Sequence, residues 1–213
     1  MRFLYRIYKK LLSTFGKQGW WPGETPFEII VGAILTQQTN WKNVERAIQN
    51  LKREKLLNPE ALYKVSSSKI KKLIRPTIYY NQKTKKLKAF VKYLIEKYRG
   101  NLKALFNKKV SELRAELLSL HGIGKETADS IILYAAEKPI FVIDAYTKRI
   151  GKRLGLFDFE DYEKIRNFFE RNLPKSVYIY KEFHALLVEL GKRFCKRKPI
   201  CDECPFRKVC KYI

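Results

Sequence analysis

The sequence predicts an all-α fold, built as one large domain or two small interlocked ones. Three observations carry this reading. Apolar residues recur at three- and four-residue spacing along nearly the whole chain. One run alone, "PIFVID" from Pro139 to Asp144, reads as β-like, and it is short and isolated. No repeat, low-complexity tract or Gly/Ser linker breaks the helical pattern.

The elements follow in order. At the N-terminus Leu4, Ile7, Tyr8, Leu11 and Leu12 share one helical face, with Arg6, Lys9 and Lys10 opposite. This stretch has no acid before Glu24 and could pass for a targeting peptide. No continuous apolar run with a small-residue cleavage site follows, so it is read as a structural helix of a cytoplasmic, nucleoid-associated protein. In "PFEIIVGAIL" the residues Phe27, Ile30, Val31, Ile34 and Leu35 form a stripe, as expected of a buried helix. Further helices are expected over 44–55, 59–65, 68–74, 83–98, 111–120, 125–136, 145–154, 160–171 and 179–193. "PIFVID" is expected to be an extended connector rather than a sheet strand.

Composition narrows the partner. The 213 residues are 46% hydrophobic and 14% aromatic, enough to bury a sizeable core. No apolar run reaches the ~20 residues of a membrane helix. Lys and Arg number 45 against 21 for Asp and Glu, a net charge of +24. Lys-rich thermophile surfaces carry Glu alongside to build ion pairs, and here the acids are missing. The excess therefore points to a polyanion, most simply nucleic acid. Basic residues spread over many segments do not suit a membrane-surface helix.

Two stretches carry chemistry. In "LHGIGKETAD" two apolar-faced helices meet at Gly122-Ile123-Gly124, followed by Lys125. Glycines there permit a left-handed backbone and close approach. Their N–H groups, next to a helix start, form a phosphate cradle to which Lys125 adds a cation. An ordinary helical hairpin with a glycine cap is the alternative; the basic chain favours contact with the DNA backbone. At the C-terminus Cys195, Cys201, Cys204 and Cys210 are spaced C-x5-C-x2-C-x5-C, and no secretion signal favours disulfides. Four thiolates suit a [4Fe–4S] cluster or a zinc ion. Only one C-x2-C knuckle is present, which leans towards iron–sulfur. Lys196, Arg197, Lys198, Arg207 and Lys208 make this tail basic.

The hairpin, "FVIDAYTKRI" and the cysteine tail together resemble the endonuclease III superfamily of helix-hairpin-helix DNA glycosylases. "GAILTQQTNW" is similar to that family's early helix and glutamine turn, and "IYYNQKTKKLKAF" to its second backbone-binding segment. The family commonly has Pro where this chain has His121, and its first cysteine gap is usually one residue longer. The resemblance implies two helical domains with a DNA-binding cleft between them. One is a barrel over 23–135 ending in the hairpin. The other joins 1–22 to 136–213 and holds the cluster. A monomer acting on double-stranded DNA is expected. Gly122, Ile123, Gly124, Lys125, Thr127, Lys83 and Lys85 would hold the DNA, and the four cysteines the metal.

The same resemblance suggests roles. A glycosylase flips its target nucleotide out of the stack, and Gln38 matches the residue that plugs the space left behind. Asp144 matches the family's essential aspartate, which stabilises positive charge on the sugar. On spacing alone it would be read as a helix N-cap, and the two roles are compatible. Strand-cutting members carry lysine where this chain has Glu126, and a carboxylate cannot form their Schiff base. Hence a monofunctional enzyme without lyase activity is expected. Glu126 either stabilises its helix dipole or lines the substrate pocket. Within the superfamily the likeness is strongest to the 3-methyladenine type, whose members lack the cluster cysteines. Trp20, Trp21, Trp41, Tyr79 and Tyr80 either offer stacking surfaces for a cationic alkylated base or belong to the core. His121 and His184 are read as structural. The alternatives are a mismatch glycosylase for thymine, uracil or adenine, and a non-catalytic DNA-binding module.

Overall fold

The computed structural model describes residues 2–212. Among them there are twelve α-helices and no strand. In chain order they are α1 (Arg2–Phe15), α2 (Pro26–Leu35), α3 (Trp41–Arg53), α4 (Pro59–Lys64), α5 (Ser67–Ile74) and α6 (Tyr80–Tyr98). Then come α7 (Leu102–Phe106), α8 (Val110–Leu118), α9 (Lys125–Ser130), α10 (Ala145–Arg153), α11 (Tyr162–Asn172) and α12 (Val177–Arg193). The chain divides into two compact units, Met1–Trp21 with Pro139–Ile213, and Pro22–Lys138.

In the second of these units α2 is central. Thr25 caps it by accepting from Glu28 N, and Pro26 starts it with a preset φ. Phe27, Ile30, Val31, Ile34 and Leu35 are all buried, as their stripe requires. α2 packs on α3, α6, α9 and the turn that extends α9. That turn, Ile131–Ala135, is π-helical, and Ala136 N donates to Ile131 O at 3.0 Å. All five of its side chains are buried. The wider winding is a rare form that periodicity alone does not reveal. α6 starts three residues before the expected 83, because its first turn, "YNQK", is polar and hides the boundary.

The other unit is built on α12, whose buried residues run from Tyr180 to Gly191. α1 lays Leu4, Ile7, Tyr8 and Leu11 against it. α10 crosses it closely at Gly191, where a Cβ would fall 2.2 Å from the Tyr146 ring. The run Ile140–Ile143 is an extended connector without a partner strand, as expected, and each of its residues is at most 1% exposed. Phe141 anchors it, stacking on Phe169 at 4.4 Å and meeting Tyr180 and Phe183 edge-on. Phe141 N donates to Glu170 Oε1 at 2.9 Å. The connector is therefore fixed three residues before Asp144.

Candidate active site and nucleic-acid interface

Asp144 ends the connector and caps α10. Its Oδ1 accepts from Thr147 N at 2.7 Å. Its Oδ2 lies 3.6 Å from Nε2 of His184 on α12, with the two side chains 13% and 5% exposed. Burial alone pushes the Asp144 carboxyl up. The His184 contact and the Thr147 N–H outweigh burial and hold it below the ordinary aspartate value. The carboxylate is thus ionised at neutral pH in a nearly dry setting.

The Trp20–Trp21 segment belongs to the same unit. Trp20 meets the His184 imidazole edge-on at 5.9 Å and Trp21 at 6.1 Å, and both indoles are half-buried. Lys192 Nζ lies 5.4 Å from the Trp20 ring centroid. Gln18 N donates to the buried Glu182, which ties this loop to α12.

The hairpin between α8 and α9 has a different construction. Gly122 sits at φ +78°, and a Cβ there would fall 2.4 Å from the Lys86 side chain. Ile123 is 5% exposed and pins the turn, its N donating to Leu120 O. Gly124, the N-cap of α9, is extended at φ −89°, and a Cβ on it would meet nothing within 4 Å. Lys125 and Glu126 follow, both exposed. Thr127 was expected to face DNA, but it is 7% exposed and its hydroxyl accepts from Gln37 Nε2 at 2.9 Å. Gln37 also donates to Gly122 O at 3.1 Å and accepts from Lys86 Nζ. Beneath the turn, Arg114 Nε donates to Oδ1 of the fully buried Asp129 at 2.6 Å. That ion pair fixes α8 against α9.

Beside Gln37, Gln38 takes φ +55° and is exposed, so the two glutamines of "TQQT" part company. In the other expected DNA segment Lys85 is exposed. Lys83 is 2% exposed, and its ammonium donates to Thr77 O. Burial, then Lys86, lowers its pKa to about 8. It acts inside the fold, as a tie across the turn before α6, and not at the surface. Ile78 and Tyr79 in that turn both have positive φ and are 51% and 59% exposed. Tyr80 and Trp41 are half-buried.

The four cysteines are half-buried and form no disulfide. Among the described residues no three metal-binding side chains gather as the ligands of one ion do. The thiols are nonetheless close: burial raises the Cys204 pKa, and Cys195, Cys210 and Cys201 each add to the shift. All four lie on one tail, which α10 holds. Arg149 Nε donates to Cys195 O at 2.8 Å, and Arg153 donates to Lys196 O at 2.6 Å and Arg197 O at 3.0 Å. Arg153 O accepts from Lys211 N and Cys210 Sγ in return. The donor set fits a thiolate-held group, and the basic residues of the tail point outward as exposed side chains.

Three groups here escaped sequence reasoning: His184, Gln37 and the Arg114–Asp129 pair. Each works through a partner distant in the chain, so no local spacing signals it.

Residues 31–175 match the HhH-GPD superfamily of base excision DNA repair proteins. The chain belongs to that superfamily and is a DNA glycosylase. A Methanocaldococcus jannaschii protein, provisionally named a DNA repair glycosylase, is 53% identical over 210 residues, covering 97% of this chain and 95% of its own. Endonuclease III of Thermotoga maritima is 29% identical over 88% of this chain and 83% of its own. The crystal structure of H. pylori 3-methyladenine DNA glycosylase bound to 1,N6-ethenoadenine superposes with a TM-score of 0.80 at 30% identity, covering 89% of this chain and 97% of that one.

Proposed function

We propose that the enzyme is a monofunctional glycosylase that flips an alkylated purine out of duplex DNA and hydrolyses its N-glycosidic bond, with 3-methyladenine its first substrate and 7-methylguanine its second. The observation that carries this is Glu126: an exposed carboxylate opens α9 where a strand-cutting enzyme needs an amine. The likeness to a 3-methyladenine glycosylase supports the substrate class.

Asp144 is the catalytic group. As the bond breaks, its electrons leave with the base and positive charge develops on the sugar. A fixed carboxylate stabilises that charge and orients the water that adds to C1′, taking up the proton the water loses as the C1′–O bond forms. Alkylation has already made the base cationic, so it departs neutral and needs little acid catalysis. Trp20 and Trp21 offer aromatic faces to such a cation. Gln38, held out by its positive φ, fills the space left by the flipped nucleotide.

DNA is held by its backbone. Gly124 leaves the backbone at the start of α9 open, with Ile123 pinning the turn and Lys125 and Lys85 as cations. Gly124 has room for a side chain within its own fold, which suits close approach by a phosphate. Cys195, Cys201, Cys204 and Cys210 would hold a [4Fe–4S] cluster. The single C-x2-C knuckle in the C-x5-C-x2-C-x5-C spacing favours the cluster over a zinc ion. Such a cluster supplies cross-linking to the tail, and glycosidic hydrolysis asks no electron of it.

The test is base release from duplexes carrying methylated purines, uracil, a G·T mismatch or adenine opposite 8-oxoguanine. Release of methylated purines without a borohydride-trapped adduct is expected. Efficient release from a mismatch with none from alkylated DNA rejects the substrate class, and strong trapping rejects monofunctionality. Iron and sulfide near four each per chain are expected; one zinc without iron rejects the cluster.

A further inference from the structure

We propose that His184 is a positioning residue for Asp144, fixing the orientation of the carboxylate and linking it to Trp20. This rests on Asp144 being the carboxylate that faces the sugar.

The terminal torsion of an aspartate is broad, so one hydrogen bond does not orient both oxygens. Oδ1 is taken by Thr147 N, at 2.7 Å. What faces Oδ2 therefore sets the carboxylate plane, and His184 Nε2 stands there at 3.6 Å. The imidazole has no room to swing. The residue is 4% exposed, and Trp20 meets its ring edge-on at 5.9 Å. Carboxylate, imidazole and indole thus lie in contiguous order within one unit. α12 also fixes the indole's loop, since Glu182 accepts from Gln18 N.

The charged and titratable groups around this line come from three helices. From α12 His184 faces Oδ2, Lys192 lies near the Trp20 ring, and Glu182 holds Gln18. From α11 the Tyr162 hydroxyl accepts from Ile143 N at 3.4 Å. On α10 itself Lys148 lies 5.9 Å from the Tyr162 ring centroid. Without His184, burial would act on Asp144 against the helix cap alone. The carboxyl would then take up its proton at a higher pH. Asp144 works only when ionised, so the acid limb of the pH–rate profile would move upward with it.

The experiment compares wild type with His184→Leu, His184→Gln and Asp144→Asn. It measures single-turnover release of methylated purine against pH, binding to duplex DNA carrying a stable abasic analogue, and thermal midpoint against pH. For His184→Leu the chemical step should slow by about tenfold to hundredfold, the acid limb should rise, and abasic-analogue binding should hold. His184→Gln, whose amide reaches the Nε2 position, should restore most of the rate and the limb. A His184→Leu enzyme with wild-type rate and limb overturns the proposal, and so does His184→Gln as impaired as His184→Leu. Should His184→Leu not fold, His184→Gln is compared with His184→Asn, whose amide reaches only the Nδ1 position; an acid limb nearer wild type in the Asn variant overturns the proposal.

Full activity of Asp144→Asn would instead overturn the catalytic reading of Asp144. The melting curves would then decide on His184. Stability from the depressed Asp144 carboxyl is present above its unfolded pKa and lost as pH falls through its folded pKa. That loss, read as wild type minus Asp144→Asn, should come at higher pH when His184 is absent. Identical curves with and without His184 overturn the contact.

Discussion

Around Asp144 the carboxylate is largely buried, held between the start of its own helix and a histidine from α12. At the hairpin Gly124, Lys125 and Glu126 are exposed in succession, shaped by a local turn. The difference suits the work proposed for each. Stabilising a sugar cation needs a fixed charge in a dry place, where its field is not screened. Gripping a phosphate chain needs accessible donors that any sequence can use, and it tolerates water and salt. Support differs accordingly. The carboxylate faces an imidazole from α12 and caps its own helix. The turn rests on a buried ion pair and an amide beneath it.

Four substitutions test this contrast. The largest effect should come from beneath the hairpin. Asp129→Ala leaves Arg114 facing an emptied pocket and should cost about 3–5 kcal/mol of stability, read from chemical unfolding; a loss below about 1 kcal/mol would show the pair to be incidental. Next, Asp144→Asn keeps a good helix cap and should leave stability within about 1 kcal/mol while base release falls by roughly 100- to 1,000-fold. Third, Trp20→Ala should weaken binding of the alkylated substrate by about 1–3 kcal/mol, with undamaged-duplex affinity unchanged. An equal loss on undamaged DNA would place Trp20 in the loop's architecture only. The smallest effect belongs to Gly124→Ala. It changes nothing inside the fold, so stability should hold within about 0.5 kcal/mol while affinity for damaged and undamaged duplex falls alike by a few-fold in salt titrations.

What could be read from the sequence was whatever acts locally. The α2 stripe, the lone connector and Asp144 at a helix start are all statements about neighbours in the chain, and each holds in the structure. Lys83 and Thr127 show the opposite case. Both polar side chains were expected at a DNA surface, yet Lys83 is turned onto Thr77 O and Thr127 onto Gln37. Composition says how many cations a chain has, and packing decides which of them reach solvent. His184 stayed hidden for a related reason. A single histidine on an apolar helix face looks like core until the connector brings Asp144 beside it. The π-helical turn left no trace at all, since Ile131–Ala135 would be equally buried in an α-helix.

Gln37 has one further consequence. Its amide spends both ends at once, donating to Gly122 O and Thr127 Oγ1 while accepting from Lys86. The turn after α2, the second turn of α6 and the hairpin are therefore closed by one planar group. A group shared in this way couples the segments it joins, and we expect them to open as one cooperative unit. In amide hydrogen exchange the donor of the turn, Ile123 N, should share its opening free energy with the first turns of α6, although the chain between them is long. The surface proposed to meet a phosphate backbone would thus be rigid before contact, with little ordering entropy left to lose on binding.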